Sequence, residues 1–399
     1  MTNRIYYTDP TCREFSARVT RSFDHEGKPA VCLDRTAFYP TSGGQPFDTG
    51  VLGSSRVMDV VDVDEEVVHV LDSALPSGVT ASARIDWDRR FDHMQQHTGQ
   101  HILSAAFERV SDNPTLSFHM GQDVSTIDVA REVTPRDLER VEVEANRVVW
   151  DDQPVAVRFV SPAEALRLPL RKESVREGTL RLIDIKDFDL SACGGTHVRR
   201  TGEIGIIAVL GVERFKGGAR VSFACGGRAL RSQRLLRGAV ADSIRVLSVA
   251  PAELASSIEK LQQESKDQRK TIRTLRDTLA VHEAASLLEG AQVLRGVRLV
   301  VRAMDDYDAA GLKSMAAALT ASPGVAAALF TASSPAQVVV ARSTDVSVDA
   351  AAVLRRLIES YGGKGGGKPD MAQGGGLTGD VRQIVWTASG LLEEILGGS

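Results

Sequence analysis

Over the first 85 or so residues, hydrophobic positions fall in short β-branched and aliphatic runs between turn clusters. Val31 to Leu33, Val51 to Val63 and Val67 to Leu71 are such runs, separated by Asp24 to Lys28, the glycine-rich 41–50 stretch and Asp64-Glu65. A small β-barrel or sandwich is the natural packing for strands of this length. Near Asp86 the period changes. From about Asp88 to Val110 the residues Phe91, Met94, Ile102, Ala105 and Ala106 fit one helical face, ended by Asn113-Pro114. A second helix is predicted from Thr134 to Trp150, with Thr134 as N-cap and Pro135 in the first turn. Strands are predicted at 154–160, 179–185, 203–213 and 219–225, so the block to about residue 245 reads as α+β.

From Leu254 the apolar positions recur in heptads. Ile258, Ser265, Ile272 and Leu279 stand seven apart, as do Leu254, Leu261, Gln268, Leu275 and His282. The two rows form a coiled-coil seam weakened by Ser265, Gln268 and His282. Two readings stay open: a helical linker packed on its neighbours, or an arm that spaces two domains or pairs two chains. From about 297 strand and helix alternate, with RLVVRA, a helix over 308–320, strands near 325–331 and 336–342, and a helix over 349–360. That is a separate α/β domain. It carries GGKGGGKPDMAQGGG at 362–376, whose Pro-Asp-Met centre speaks against a flexible linker and for a loop whose backbone approaches another surface closely.

Composition narrows the class. The 399 residues are 43% hydrophobic and 25% charged, which excludes a disordered tail protein, a collagen-like repeat and a disulfide-stapled miniprotein. Net charge is −4, from 48 basic and 52 acidic side chains, so any nucleic-acid partner must be held by local basic patches. Cys12, Cys32, Cys193 and Cys225 are too few and scattered for a disulfide framework. MTNRIYYTDP lacks the apolar core of a signal peptide, and no apolar run approaches a membrane span. The sequence reads as cytoplasmic, with no membrane partner.

The sharpest chemistry lies in His97-Thr-Gly-Gln-His101, inside the first predicted helix. Residues i and i+4 share a face, so both imidazoles can reach one metal ion. His93, four residues earlier, is rotated only about 40° from His97 by the helical repeat and leaves the choice of ligands open. Cys193-Gly-Gly-Thr-His197 supplies a second pair, because the glycines permit a bend that brings Cys and His onto one ion. The bland alternative is a buried free cysteine and an unrelated surface histidine. Together the two pairs favour zinc. Four protein ligands would close a tetrahedral site, whereas catalysis needs an open position, and the sequence leaves both arrangements standing. In the N-terminal β region, Phe38-Tyr-Pro-Thr-Ser-Gly-Gly-Gln-Pro46 reads as a turn, or as a loop where Gly43 and Gly44 let backbone N–H groups approach a ligand while Thr41 and Gln45 offer hydrogen bonds.

FYPTSGGQPFDTG, HTGQH, CGGTH and GGKGGGKPDMAQGGG occur in the order found in the editing half and C-terminal domain of alanyl-tRNA synthetases. The aminoacylation domain that precedes them there has no counterpart here. The sequence therefore resembles the freestanding alanyl-tRNA editing proteins of the AlaX type, long form, over nearly its whole length. The resemblance implies an α+β multidomain fold: a β-barrel over 1–86, a zinc-dependent editing domain over 87–248, a helical linker over 249–292 and a C-terminal glycine-motif tRNA-binding domain over 293–399. It implies trans-editing hydrolysis of tRNA(Ala) mischarged with serine, and with glycine. Zinc would be held by His97, His101, Cys193 and His197, and would polarise the ester, activate water or position the substrate amino group. Thr41 would recognise the seryl hydroxyl, Gly43 and Gly44 would shape the pocket around the terminal adenosine, and Gln45 would bind substrate. Such a site is needed because a pocket built for alanine cannot exclude glycine by size and rejects an added hydroxyl only modestly.

Phe118 and His119, in Leu-Ser-Phe-His-Met-Gly, stand at a distance suited to lining the pocket; a core Phe and a surface His fit equally. For tRNA, the densest local charge is Arg214, Lys216, Arg220, Arg228, Arg231, Arg234 and Arg237. The last four recur every three residues, as a basic stripe for phosphates or a solvated helix face. Lys364 and Lys368 are their counterparts in the C-terminal domain. A homodimer would form through the helical linker or that domain. Two competing classes, an RNA-binding module with purely structural zinc and a metallohydrolase for a small ester or amide, predict binding without turnover and turnover without RNA.

Overall fold

A computed structural model describes residues 2–63, 66–172 and 178–398, so the Asp64-Glu65 turn lies outside the described residues. The chain divides into two compact units, 1–243 and 244–399. Its helices are α1 (Trp87–Ser111), α2 (Pro135–Trp150), α3 (Pro162–Ala165), α4 (Gly226–Leu247), α5 (Leu254–Glu289), α6 (Ala309–Thr320), α7 (Ala350–Tyr361) and α8 (Val381–Gly397).

In the first unit, six antiparallel strands pair in a closed cycle: Glu14–His25, Lys28–Leu33, Glu66–Leu71, Ser55–Val63, Gly50–Leu52 and Thr80–Ile85. Ala17, Val19, Val31, Leu33, Leu52, Val57, Val60 and Leu71 pack in one core, while the alternate residues Ala30, Cys32 and Val68 form a second, smaller buried cluster. Two of these strands, Glu14–His25 and Thr80–Ile85, are absent from the sequence reading, and the predicted 51–63 run is a hairpin with Gly53 at φ +60°.

α1 runs from this barrel into the second layer. Its Arg90 is wholly buried; Nε lies 3.1 Å from both Asp48 carboxylate oxygens, Nη1 donates to Pro10 O at 2.7 Å and Nη2 to Ala37 O at 2.5 Å. A buried guanidinium needs this many acceptors to repay its lost hydration. Further along, Met94, Ile102, Leu103 and Phe107 pack with Ile127, Val221 and Phe223. These belong to a four-stranded antiparallel sheet ordered Ile207–Phe215, Gly218–Cys225, Ser125–Val129, Thr115–Met120. α2 begins as predicted, Thr134 Oγ1 accepting from Asp137 N at 3.1 Å. A three-stranded antiparallel sheet of Val155–Val160, Leu180–Ile185 and Asp189–Ala192 delivers the chain to Cys193.

The second unit carries a six-stranded sheet ordered Gln292–Leu294, Val297–Met304, Val325–Thr331, Ala336–Arg342, Met371–Leu377, Lys364–Gly367. α6 and the end of α5 cover one face through Leu312, Met315, Ala280 and Ala284; α7 and α8 cover the other through Leu354, Leu357, Ile384 and Leu392. The glycine-dense segment is a correction to the sequence reading: it forms a strand hairpin at the sheet edge rather than a loop. Its glycines are needed because a Cβ on Gly374 would meet Leu354 Cδ1 at 2.9 Å and one on Gly367 would meet Ala372 Cα at 2.4 Å. On α5, Ile258, Leu261, Ile272, Leu275 and Leu279 of the heptad rows are exposed. No described helix is long and apolar enough to cross a membrane.

Candidate metal centre

His97 and His101 project from α1 beside Cys193 and His197, and one donor atom from each lies within 4.8 Å of every other. Cys193 Sγ is 3.4 Å from His97 Nε2 and 3.4 Å from His197 Nε2. Zinc–nitrogen and zinc–sulfur bonds of about 2.0 and 2.3 Å set tetrahedral N···S edges at about 3.5 Å, so these side chains fit one metal ion. All four cysteines are free.

Each imidazole is oriented from behind. Thr98 donates its hydroxyl proton to Met94 O at 2.8 Å, so its oxygen accepts from His197 Nδ1 at 3.1 Å and from Val198 N at 3.1 Å. Asp189, bound also by Arg171 Nε at 2.5 Å and Ser191 Oγ at 2.9 Å, accepts from His101 Nδ1 at 2.8 Å. Gln45 Oε1 accepts from His97 Nδ1 at 2.8 Å and from Thr196 N at 3.1 Å, while its Nε2 donates to Thr196 Oγ1 at 2.8 Å. With each Nδ1 held by a partner, Nε2 is the ring atom that each histidine turns to the common centre.

The electrostatics agree. Burial lowers the His197 pKa to about 3, leaving that ring neutral. Burial would also lower His101, but the Asp189 hydrogen bond and the neighbouring Cys193 outweigh it and raise the ring to about 9, so a metal ion must displace a proton from it. Burial pushes the Cys193 thiol up, yet His97 and His197, with hydrogen bonds from His101 and His197, hold it well below a thiol's usual value. A low-pKa thiolate among imidazoles is a metal-binding donor set.

Glycines make room for it. A Cβ on Gly195 would meet His97 Cε1 at 2.1 Å, and one on Gly99 would meet Cys225 Sγ at 2.3 Å. Gly43 and Gly44 have φ of +58° and +84°, and a Gly44 Cβ would meet Phe118 Cδ1 at 2.9 Å. His97, His101 and Cys193 open onto a cleft of about 590 Å³ whose walls include Tyr7, Tyr39, Ser42, Gly43, Thr115, Phe118, Phe159 and Arg181. Arg181 binds Cys193 O at 2.6 Å and Gly195 O at 3.0 Å, and its buried Nη2 has no partner among the described residues.

The predicted site residues separate accordingly. Phe118 stacks on His97 at 5.6 Å, whereas His119 alternates to the exposed face of the same strand. Gln45 is buried behind His97. Thr41 is exposed next to Ser42, and its hydroxyl oxygen accepts from Phe47 N at 3.1 Å. His93 lies outside the four-donor group. Asp189 and Thr98, which orient two of the rings, were missed: an acid 88 residues from its histidine leaves no local signal, although Thr98 sits within the HTGQH motif.

The basic stripe needs correction. Arg228 is buried, binds Asp92 through Nε at 3.0 Å and Nη2 at 2.7 Å, and donates to Gly121 O at 2.6 Å. It therefore cannot face solvent phosphates, because α4 starts directly from a buried strand and its first turn stays in the core. Arg220 pairs with Asp128 at 2.7 Å, and Arg214 lies 3.3 Å from Glu132. Lys216, Arg231, Arg234, Arg237, Lys364 and Lys368 are exposed.

Residues 11–89 match the model of class II (A) tRNA synthetases, residues 180–221 the second additional domain of threonyl and alanyl tRNA synthetases, and residues 296–394 the DHHA1 domain. The first unit, which holds the four-donor cleft, thus matches models of two tRNA-synthetase domains. The chain is 36% identical over 394 residues to the alanine–tRNA ligase of Methanoculleus marisnigri and 32% over 397 residues to that of Pyrococcus abyssi. Each alignment covers 94% of this chain but only 41% and 42% of the ligase, so the chain spans well under half of those relatives. With the alanyl-tRNA editing protein AlaX-L of Pyrococcus horikoshii it shares 31% identity over 385 residues, covering 94% of both. The chain belongs to the AlaX-L family of alanyl-tRNA editing proteins.

Proposed function

We propose that this protein hydrolyses the ester of tRNA(Ala) mischarged with serine, and with glycine, acting in trans in the cytoplasm. The observation that carries the reading is the four-donor group whose three Nδ1 atoms are each fixed by a buried partner, at the floor of an open cleft. His97, His101, Cys193 and His197 would hold zinc. When bound, the ion supplies Lewis acidity for the ester or its attacking water, or an anchor for the amino group.

The chain's own groups do the selecting. Once Thr41 Oγ1 has accepted from Phe47 N, its proton remains to donate to a seryl hydroxyl. Thr41 is exposed, so discrimination against an alanyl ester requires the bound 3′ end to cover the hydroxyl and keep water from replacing the missing seryl partner. Phe118, stacked over His97, and Gly43 shape the wall against which the terminal nucleoside rests. In this reading 1–86 and 87–248 supply chemistry, 249–292 links, and 293–399 adds tRNA affinity through Lys364 and Lys368. The exposed apolar row of α5 offers a surface for pairing two chains.

The test is deacylation of Ser-, Gly- and Ala-tRNA(Ala) with and without chelator. Turnover of the first two, lost on chelation and restored by zinc, is expected. Full turnover by metal-free protein would defeat the zinc assignment, and tRNA binding without any turnover would make this a binding module.

A further inference from the structure

A second cavity, about 550 Å³, lies one turn back along α1 from the metal centre. His97 faces the cleft and His93 this cavity, about 6 Å apart along the helix axis. The walls are shared out in the same order: Gly43 and Phe118 line the cleft, Pro46 and Met120 the cavity, with Met120 N donating to Gly44 O at 3.3 Å between them.

The lining is built to attract an anion. Arg89 is fixed by Nε donating to Phe47 O at 2.9 Å and by stacking over the Phe47 ring, and Arg231 reaches the cavity from α4. Arg228 and Asp92 neutralise each other, so Arg89 and Arg231 outweigh the one remaining carboxylate, Asp88. His93 is 3% exposed, yet its ring makes no hydrogen bond among the described residues, and Nδ1 is buried without a partner. Burial, with Arg89, Arg228 and Arg90 adding to it, holds its pKa at about 3, so the ring is a neutral donor in a positive field. Nδ1 is sealed from the cavity, so Nε2 is the ring atom that a ligand there can meet.

We propose that this cavity seats a backbone phosphate of the RNA strand whose 3′ end enters the metal-site cleft, with Arg89 and Arg231 as cations and His93 as hydrogen-bond donor. The inference rests on the cleft being the site of an RNA-borne ester. Arg234 and Arg237 are exposed further along α4.

The test compares wild type, Arg231→Ala and His93→Phe on Ser-tRNA(Ala) and on the seryl ester of adenosine, which has no upstream phosphate. The ratio of KM for tRNA to KM for the adenosine ester is expected to rise about 10-fold in each variant. For Arg231→Ala, an exposed position, the slope of log affinity for tRNA against log salt should fall by about 1. An unchanged ratio and slope would overturn the proposal, as would equal losses on both substrates. Inorganic phosphate binding that depends on Arg231, with tRNA affinity indifferent to it, would also overturn it in favour of a free-phosphate site. Should the wild type turn over neither ester while tRNA binding keeps its Arg231-dependent slope, the activity reading fails and the phosphate seat stands.

Discussion

Gln45 Oε1 lies 2.8 Å from His97 Nδ1, so a residue of the barrel's glycine loop fixes a candidate metal donor on α1. The same amide holds Thr196 N at 3.1 Å and Thr196 Oγ1 at 2.8 Å, which ties three separated motifs into one unit.

Gln45→Ala removes that tie without touching a donor atom. Zinc affinity should fall about 10- to 100-fold, the usual cost of losing such an orienting partner. Competition titration against a chromophoric chelator reads this, and an unchanged affinity would show that His97 orients itself.

Gly195→Ala places a methyl 2.1 Å from His97 Cε1. The ring must swing away, so metal binding should be lost while far-UV circular dichroism stays that of the folded protein. Stoichiometric zinc in this variant would mean the CGGTH turn is looser than its geometry indicates.

Much of this site was legible beforehand. HTGQH and CGGTH single out by spacing the four side chains that the structure brings together, and Thr134-Pro135 marked a helix start correctly. The partners behind the rings were not: Asp189 reaches His101 across 88 residues, and nothing in its neighbourhood distinguishes it from other acids. Arg228 looked like the start of an exposed row because a period of three residues says nothing about which side of a helix meets the core. The 115–129 hairpin escaped notice because Leu116 and Val124 are exposed and blur the alternation. α8 escaped for a different reason, since the glycine-dense segment before it suggested loop.

Arg90 and Asp48 form a fully buried ion pair joining α1 to the barrel. Arg90→Ala strands the carboxylate in the interior and should cost about 3–5 kcal/mol of stability. Denaturant unfolding measures it, and a loss within the range of ordinary surface substitutions would remove the clamp from the account.

His69 is wholly buried in the barrel, 2.8 Å from Thr36 Oγ1, and burial lowers its pKa from 6.5 to about 4. The unfolded chain protonates this ring near pH 6.5 while the folded chain resists to about 4. Unfolding therefore takes up a proton in that window, and stability falls with acidification, by about 3 kcal/mol when the window is crossed. Wild type should lose this much relative to His69→Gln between pH 7 and pH 4; parallel curves would contradict it.

Zinc-edge X-ray absorption on the loaded protein examines the shared centre most directly. One sulfur at about 2.3 Å with imidazole nitrogens at about 2.0 Å is expected, the sulfur vanishing in Cys193→Ser. A shell without sulfur in the wild type, or one that Cys193→Ser leaves intact, would mean that the HTGQH and CGGTH pairs do not hold the same ion.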